Sequence, residues 1–529
     1  MKKRPQVLYS HFLALTVTLI LAGMSCRTRA ENGAASKLRH STQISLFHED
    51  FDTDMPHTDW KGPAGKLDSL PHGGNSLHIE NKDAGGSVNR QMSLPPEEMS
   101  GQLITLKAKV KATNVSKPPN HWNGIKVMLI LENEHGKQHP QLRLPIGTFD
   151  WMEATRVLRL PKGITKATLV LGLEKVSGSA WFDDVQILRG RTVNPGKRQR
   201  VRYKGHDFAR LRGVMHGPRF NENHIRDLAV KWKANQIRWQ LNWTPMKKAE
   251  EWAKDLDLYD EWLDGALKEC DKALDACERY GIKVLVDLHT PPGGRAEGGV
   301  CRLFTEKRYQ EKLVVVWKKI ARRYKGRKVI YAYDLLNEPV EARKETGLPG
   351  WRELATKLIR AIRKIDPGKP AVFEPGPWGG PDGFDTLVPL DVGRVIYSFH
   401  MYRPHSFTHQ GVHGKAVGLT YPGVVDGLMW DKDRLREAMI AAIEFQREYN
   451  VHIYVGEFSA IRWAPDNSAY RYLRDVIDLF EEYKWDWSYH AFREWEGWSV
   501  EHGADPKNRK PSSTPTDRQK LLMEWFSRN

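Results

Sequence analysis

The sequence predicts two unlike architectures in series: an N-terminal all-β sandwich, then an α/β TIM (β/α)₈ barrel. Three observations predict this multidomain fold. Residues 44–189 alternate apolar and polar side chains in short strands, with turn residues between them and no convincing helix. From residue 209 onward, eight short apolar runs alternate with amphipathic helical stretches. Several of those runs close on an ionisable side chain, and a parallel barrel gathers the C-terminal ends of its strands at one open face.

Taken in chain order, the first element is an export signal over residues 1–30. Lys2, Lys3 and Arg4 precede the apolar stretch 12–23, which is too short for a comfortable membrane span, and Thr28-Arg29-Ala30 fits a cleavage site. Lipidation at Cys26 is the alternative, although Gly23-Met24-Ser25 makes a poor lipobox. No later stretch could cross a bilayer. The expectation is an exported protein, whether secreted, periplasmic or at the cell surface.

The sandwich is assigned to residues 44–189. Within 101–113, Ile104, Leu106, Ala108 and Val110 alternate with Thr105, Lys107, Lys109 and Lys111, the period of a half-buried strand. Trp60, Trp122 and Trp151 are candidate stacking faces for a sugar, against the plain alternative of core packing in a structural spacer. A basic linker over 190–208 follows, with Asn194-Pro195-Gly196 and then Lys197, Arg198, Arg200, Arg202 and Lys204.

The barrel is assigned to residues 209–529. Its strands are expected in the runs 211–216, 235–242, 283–289, 329–338, 371–376, 395–402, 452–459 and 486–493, with helices such as 260–281 and 431–450 between them. The link from the fifth run to the sixth has the weakest helical pattern. No Gly-rich dinucleotide fingerprint follows the first run, which argues against a doubly wound sheet.

Composition narrows the function. Forty per cent hydrophobic and 28% charged residues are ordinary for a folded protein. The net charge of +17 is spread along helix faces such as 312–328, so it reads as solvated surface, and no nucleic-acid partner is expected. Cys270 and Cys277 lie seven residues apart on one expected helix, about 10 Å along its axis, too far to bridge. With Cys301 they indicate neither a disulfide framework nor a cysteine metal site.

The strand ends carry His216, Arg238, His289, Asn337, Glu338, Glu374, His400, Tyr402 and Glu457, then a Trp-rich eighth strand. A lone strand-end histidine is usually structural; the constellation is what carries weight. Glu338 and Glu457 each close an apolar run, and two carboxyl groups facing one another are the minimal equipment for cleaving a glycosidic bond. Glu374 serves either the cleft or a structural turn.

Asn337-Glu338-Pro339 ending the fourth strand, Glu457 ending the seventh, Arg238, His289 and His400-x-Tyr402 together resemble glycoside hydrolase family 5 over residues 209–529. The resemblance implies retaining hydrolysis of a β-linked polysaccharide or oligosaccharide without metal or cofactor. Glu338 would be the acid/base, holding its proton beside a charged neighbour. Glu457 would be the nucleophile, kept ionised by Arg238 and Tyr402, with about 5 Å between the two carboxyl groups. Asn337 would bond the 2-hydroxyl of the sugar being cleaved, and His289 and His400 would contact substrate and hold the carboxylates. The family's platform tryptophan is expected at the end of the eighth strand, where this chain has His490, with Trp495 or Trp498 as replacements. Trp243, Trp378, Trp430 and Trp463 are further candidates for lining subsites. Glu49-Asp50-Phe51 and Trp181-Phe182-Asp183-Asp184-Val185 resemble the outer strands of carbohydrate-binding jelly rolls, similar examples of which hold calcium; here that would fall near Asp50 and Asp184. The leading expectation is an endo-β-1,4-glucanase. Activity on β-mannan, xyloglucan or β-1,3-glucan uses the same two carboxylates, and a carbohydrate-binding surface protein on an inactive barrel is the non-enzymatic alternative. The oligomeric state is left open.

Overall fold

The computed structural model describes residues 44–52, 60–62, 65–120, 122–134, 136–190, 205–243, 252–342 and 346–529. The expected signal peptide, Cys26 and linker residues 191–204 lie outside them. The chain divides after Ile44, and Ser45–Asn529 form one compact unit.

Two antiparallel sheets make the sandwich. One runs in the order Lys66–Ser69, Asn75–Asn81, Gly178–Arg189, Leu103–Val115, Gly147–Arg159; the other runs Trp60–Lys61, Ser87–Leu94, Lys166–Glu174, Gly124–Asn133, Gly136–Gln138. The period-two reading of 101–113 holds in detail, because Ile104, Leu106, Ala108 and Val110 are all buried between the sheets. Thr105 is buried as well, and its hydroxyl donates to the Gly190 carbonyl at 2.9 Å, so the polar group is satisfied.

The stacking faces need correction. Trp60 is buried and its Nε1–H donates to Glu49 at 3.1 Å, so this indole belongs to the core. Trp122 is 53% exposed and Trp151 half-buried. At the expected calcium position, the Asp184 carboxylate already faces His48 at 3.0 Å and the Lys109 ammonium at 3.5 Å.

All eight apolar runs become parallel strands of a closed barrel: Arg212–His216, Gln236–Gln240, Lys283–Asp287, Ile330–Asp334, Ala371–Phe373, Val395–Met401, His452–Phe458 and Asp486–Phe492. Leu211, Leu285, Tyr331, Ala332, Val372, Ile396 and Tyr454 form a buried cluster contributed by its strands. The outer layer includes helices Leu256–Tyr280, Lys307–Tyr324, Trp351–Arg363 and Ser468–Glu482, each burying one apolar face. Asp255 caps the first of these, accepting from the amides of Asp257 and Leu258, and Gly281 ends it at φ 73°.

Two connections differ from expectation or sharpen it. Between the fifth and sixth strands there is only a 3₁₀ turn, Pro381–Phe384. The helix expected over 431–450 is divided at Met439 into Lys432–Ala438 and Ile440–Tyr449.

Among the described residues Cys270, Cys277 and Cys301 are free and buried, and burial pushes the Cys270 thiol up to about 12. No described helix is long and apolar enough to cross a membrane.

Candidate active site

The site lies where the strands end, and it is organised around Arg238 on the second strand. That guanidinium is fully buried, which for an arginine requires partners on every edge. It reaches Glu457 Oε1 at 2.7 Å, Asp334 Oδ2 at 2.8 Å, and Asp287 Oδ1 and Glu374 Oε1 at 3.1 Å each. Its Nη2 also donates to Asn337 Oδ1 at 3.1 Å. One cation thus faces four carboxylates. Burial opposes its charge, yet their fields hold its pKa well above the ordinary value, while burial, with Glu374 and Asp287 nearby, pushes Asp334 well up against the pull of Arg238.

Glu457 ends the seventh strand. A register shift between Phe399 and His400 aligns His400 with Glu457 on the neighbouring strand, and Tyr402 follows directly after the sixth strand ends. Tyr402 Oη donates to Glu457 Oε2 at 2.9 Å, and His490 Nδ1 lies 3.2 Å from the same oxygen. Burial alone would raise the Glu457 pKa. The charges of His400, His490 and Arg238 outweigh it and hold the carboxylate well below its usual range.

Glu338 sits opposite. One of its carboxylate oxygens and one of Glu457 lie within 4.8 Å of each other and of a His400 ring nitrogen. Its side chain is 23% exposed against 5% for Glu457, so the two acids have different access to solvent. Its backbone is left-handed at φ 46°, a conformation that costs a non-glycine residue about 1–3 kcal/mol and needs outside support. Glu374 Oε2 accepts the Glu338 N–H at 2.9 Å, and Arg295 donates to the carbonyls of Asn337 and Glu338 at 2.9 and 3.0 Å.

Glu374 is therefore a member of the site and not a turn residue. Its other oxygen meets His400 Nε2 at 3.0 Å, while His400 Nδ1 meets Glu338 at 2.9 Å. With carboxylates at both ring nitrogens, His400 is held well above the ordinary histidine value despite burial. Close approach here depends on Gly379, at φ 59°, where a Cβ would stand 2.9 Å from Glu374 Oε2.

Asn337 and His289 are fixed as a pair. Asp287 accepts from His289 Nδ1 at 2.8 Å, which leaves Nε2 to accept from Asn337 Nδ2 at 3.3 Å. The amide oxygen of Asn337 is taken by Arg238, so its orientation is set from both ends.

His490, at the expected platform position, does not stack beneath a cleft. It bridges acids: Nδ1 lies 2.6 Å from Tyr402 Oη beside Glu457, and Nε2 faces Glu494 at 3.7 Å. Burial would lower its pKa, but the Glu457 charge raises it to about 10. Trp498 stacks on Tyr402 with ring centres 5.6 Å apart. Trp495 stands further out, 38% exposed, edge-on to Trp463 and Trp498.

The remaining candidates separate by burial. Trp378 is 46% exposed above Arg295, whereas Trp243 and Trp430 are buried packing residues. His216 is buried against Trp239, its Nδ1–H donates to the Gly217 carbonyl at 2.8 Å, and burial lowers its pKa to about 4; it has no hydrogen bond or ion pair with the site carboxylates.

Sequence reasoning missed Asp287, Asp334 and Glu494. The signal for the first two was present: an aspartate ending a strand that is buried on both faces needs a cation beside it.

A family model described as cellulase (glycosyl hydrolase family 5) matches residues 200–494. Endoglucanase C of Acetivibrio thermocellus is 29% identical over 249 residues, which span 42% of this chain and 71% of that protein. Cellodextrinase A of Ruminococcus flavefaciens is 25% identical over 274 residues, spanning 50% and 75%. A crystal structure of a glycoside hydrolase aligns at 25% identity over 60% of this chain and 99% of its own, with a TM-score of 0.48. Because the family match covers more than half of its length, this chain belongs to glycosyl hydrolase family 5 and is a glycosidase acting on carbohydrate chains.

Proposed function

We propose that this protein is an exported, retaining endo-β-1,4-glucanase in which Glu457 is the nucleophile and Glu338 the acid/base. The observation that carries the assignment is the unequal setting of the two carboxylates. Glu457 is buried and bonded to Arg238, Tyr402 and His490, all of which favour its anion. Glu338 is the more accessible and meets a single ring nitrogen of His400. A nucleophile must be ionised, and a group that protonates a leaving oxygen and later takes a proton from water must reach both.

The separation within 4.8 Å supports double displacement, since inverting enzymes hold their carboxyl groups about 6.5–9.5 Å apart to admit a water. In the first step Glu338 gives its proton to the glycosidic oxygen as Glu457 attacks the anomeric carbon, and the glycosyl-enzyme forms. In the second step Glu338 takes a proton from water, whose oxygen displaces Glu457. Asn337, with both ends of its amide oriented, donates its free N–H toward the 2-hydroxyl. The β-1,4-glucan specificity rests on kinship with endoglucanase C, and export rests on the N-terminal sequence.

The test is turnover of soluble β-1,4-glucan, β-mannan, xyloglucan and β-1,3-glucan, with products followed by proton NMR. The expected result is mid-chain cleavage of the β-1,4-glucan with the β-anomer released first. Release of the α-anomer, or activity surviving Glu338→Gln on an unactivated substrate, would overturn the roles of the two glutamates.

A further inference from the structure

The loop 376–383 has two sides. Toward the carboxylates, Trp378 N–H donates to the Pro339 carbonyl at 3.1 Å, and the Gly379 carbonyl accepts from His400 N–H at 2.7 Å. On its other side, Gly376, Pro377, Asp382 and Gly383 form one wall of a groove of about 980 Å³. The opposite wall is the sandwich strand Gly147–Arg159, and Arg403, next in sequence to Tyr402, also lines the groove. One loop thus borders the groove on one side and bonds the strand ends of the active site on the other, with the sandwich as the groove's far wall.

Its charge is unbalanced. Arg159 pairs with Glu444 at 2.5 Å, Lys162 and Arg434 share Glu437 at 3.1 and 3.0 Å, and Arg403 pairs with Asp382 at 2.8 Å. Among the described residues, Arg143 and Arg156 have no carboxylate at ion-pair distance. Arg156 Nη1 donates to the Gln141 carbonyl at 2.6 Å, and the one carboxylate whose charge favours it, Asp382, lies beyond ion-pair distance and is already paired with Arg403. Burial first, and then the charge of Arg143, hold the Arg156 pKa below the ordinary value against the opposing pull of Asp382.

We propose that this groove is a distal binding site for the carboxylates of uronosyl residues, with Arg143 and Arg156 as their receptors. A β-glycan carrying acidic units would then lie along the sandwich wall as its neutral portion enters the cleft. The inference deepens the glycosidase reading and rests on it, because only a saccharide chain has reason to occupy the groove and the cleft together. The guanidinium fork matches a carboxylate with two parallel hydrogen bonds, and a hydrogen bond to a charged group is worth about ten-fold or more in affinity.

The experiment uses the full chain as Glu457→Gln, so that binding is read without turnover. Calorimetry compares cellohexaose with the same hexamer oxidised at C6 on alternate units to glucuronate. The oxidised hexamer is expected to bind at least about ten-fold tighter, with an advantage that shrinks as salt is raised. That advantage should vanish in Arg143→Gln/Arg156→Gln and largely return in Arg143→Lys/Arg156→Lys, which keeps the charge should the glutamine pair fold poorly. Equal binding of the two hexamers, failure of the oxidised hexamer to bind, or an advantage untouched by the glutamine pair would each overturn the proposal. So would equally tight binding of cellulose sulfate or duplex DNA at matched charge, which would mark a general polyanion surface. The two readings fail separately: hydrolysis of β-glucan without uronate preference sinks only the groove, and uronate preference without hydrolysis sinks only the endoglucanase assignment.

Discussion

The two ends of the barrel use similar ingredients to opposite effect. At the N-terminal end, Asp486 Oδ2 lies 2.6 Å from Nε2 of both His206 and His452, and Oδ1 accepts the Leu211 amide at 2.9 Å. Nearby, Glu481 takes Arg212 at 2.8 Å and the Trp487 indole N–H at 2.8 Å. His206, His452 and Asp486 are close enough to hold a metal ion. However, His206 Nδ1 already accepts the Phe208 amide at 3.1 Å, so the ring proton sits on Nε2 and is donated to Asp486. Each of these carboxylates has its donors.

At the C-terminal end the ratio reverses. Arg238, His400 and His490 serve Asp287, Asp334, Glu338, Glu374, Glu457 and Glu494. An excess of acids over cations in a dry site lets some carboxylates be driven fully ionised while others keep protons, which is what acid and nucleophile chemistry requires. Imbalance, more than the presence of buried ion pairs, separates the reactive end from the structural one.

The sharpest break in that contrast is Glu457→Gln, which removes the ionised member. It is expected to lower kcat by at least about 10⁴-fold with little change in the unfolding midpoint, measured by glycosidase assay and calorimetry. Next is Arg238→Met, which leaves four buried carboxylates without their guanidinium. Stability should fall by about 3–5 kcal/mol in denaturant titrations, and activity should be lost even where the variant is folded. A variant as stable as the parent would show that the acids are mostly neutral and the imbalance illusory. His490→Gln has a smaller and more specific effect. His490 is a cation at neutral pH and helps keep the Glu457 pKa down. Removing it should raise that pKa, so the acidic limb of kcat/KM moves to higher pH. An unmoved limb would reduce His490 to a packing role.

Much of this was legible in the sequence, for identifiable reasons. Most barrel strands centre on Val, Ile, Leu, Phe or Tyr, and the alternation of such short runs with amphipathic helical stretches was enough to find all eight. Glu338 and Glu457 were visible because a carboxylate ending such a run is rare. Asp287 and Asp334 were equally rare but were absorbed into the apolar count of their strands. The bonding of His490 had no local signal. It depends on the register between the sixth and seventh strands, where the shift at His400 turns Tyr402 and Glu457 toward it, and register is a long-range property. The break at Met439 was likewise hidden in a pattern that reads as one continuous helix, and the burial of Trp60 turned on an indole N–H finding Glu49 across the sandwich edge.

The mildest prediction concerns the structural end. Burial would raise the Asp486 pKa, but His452 and His206 hold it below the ordinary aspartate value. A carboxylate depressed in the folded state stabilises it fully above the unfolded pKa, and that stabilisation drains away as pH falls through the folded pKa. Asp486→Asn should therefore cost about 2 kcal/mol near neutrality, the worth of hydrogen bonds to a charged group, and progressively less in strong acid, where parent and variant converge. Because this cluster sits at the opposite end from Glu457, activity per folded molecule and the pH limbs of kcat/KM should stay where they are. If the variant instead shifts those limbs, the two ends are electrostatically coupled through the barrel, and their division into a structural and a reactive end fails.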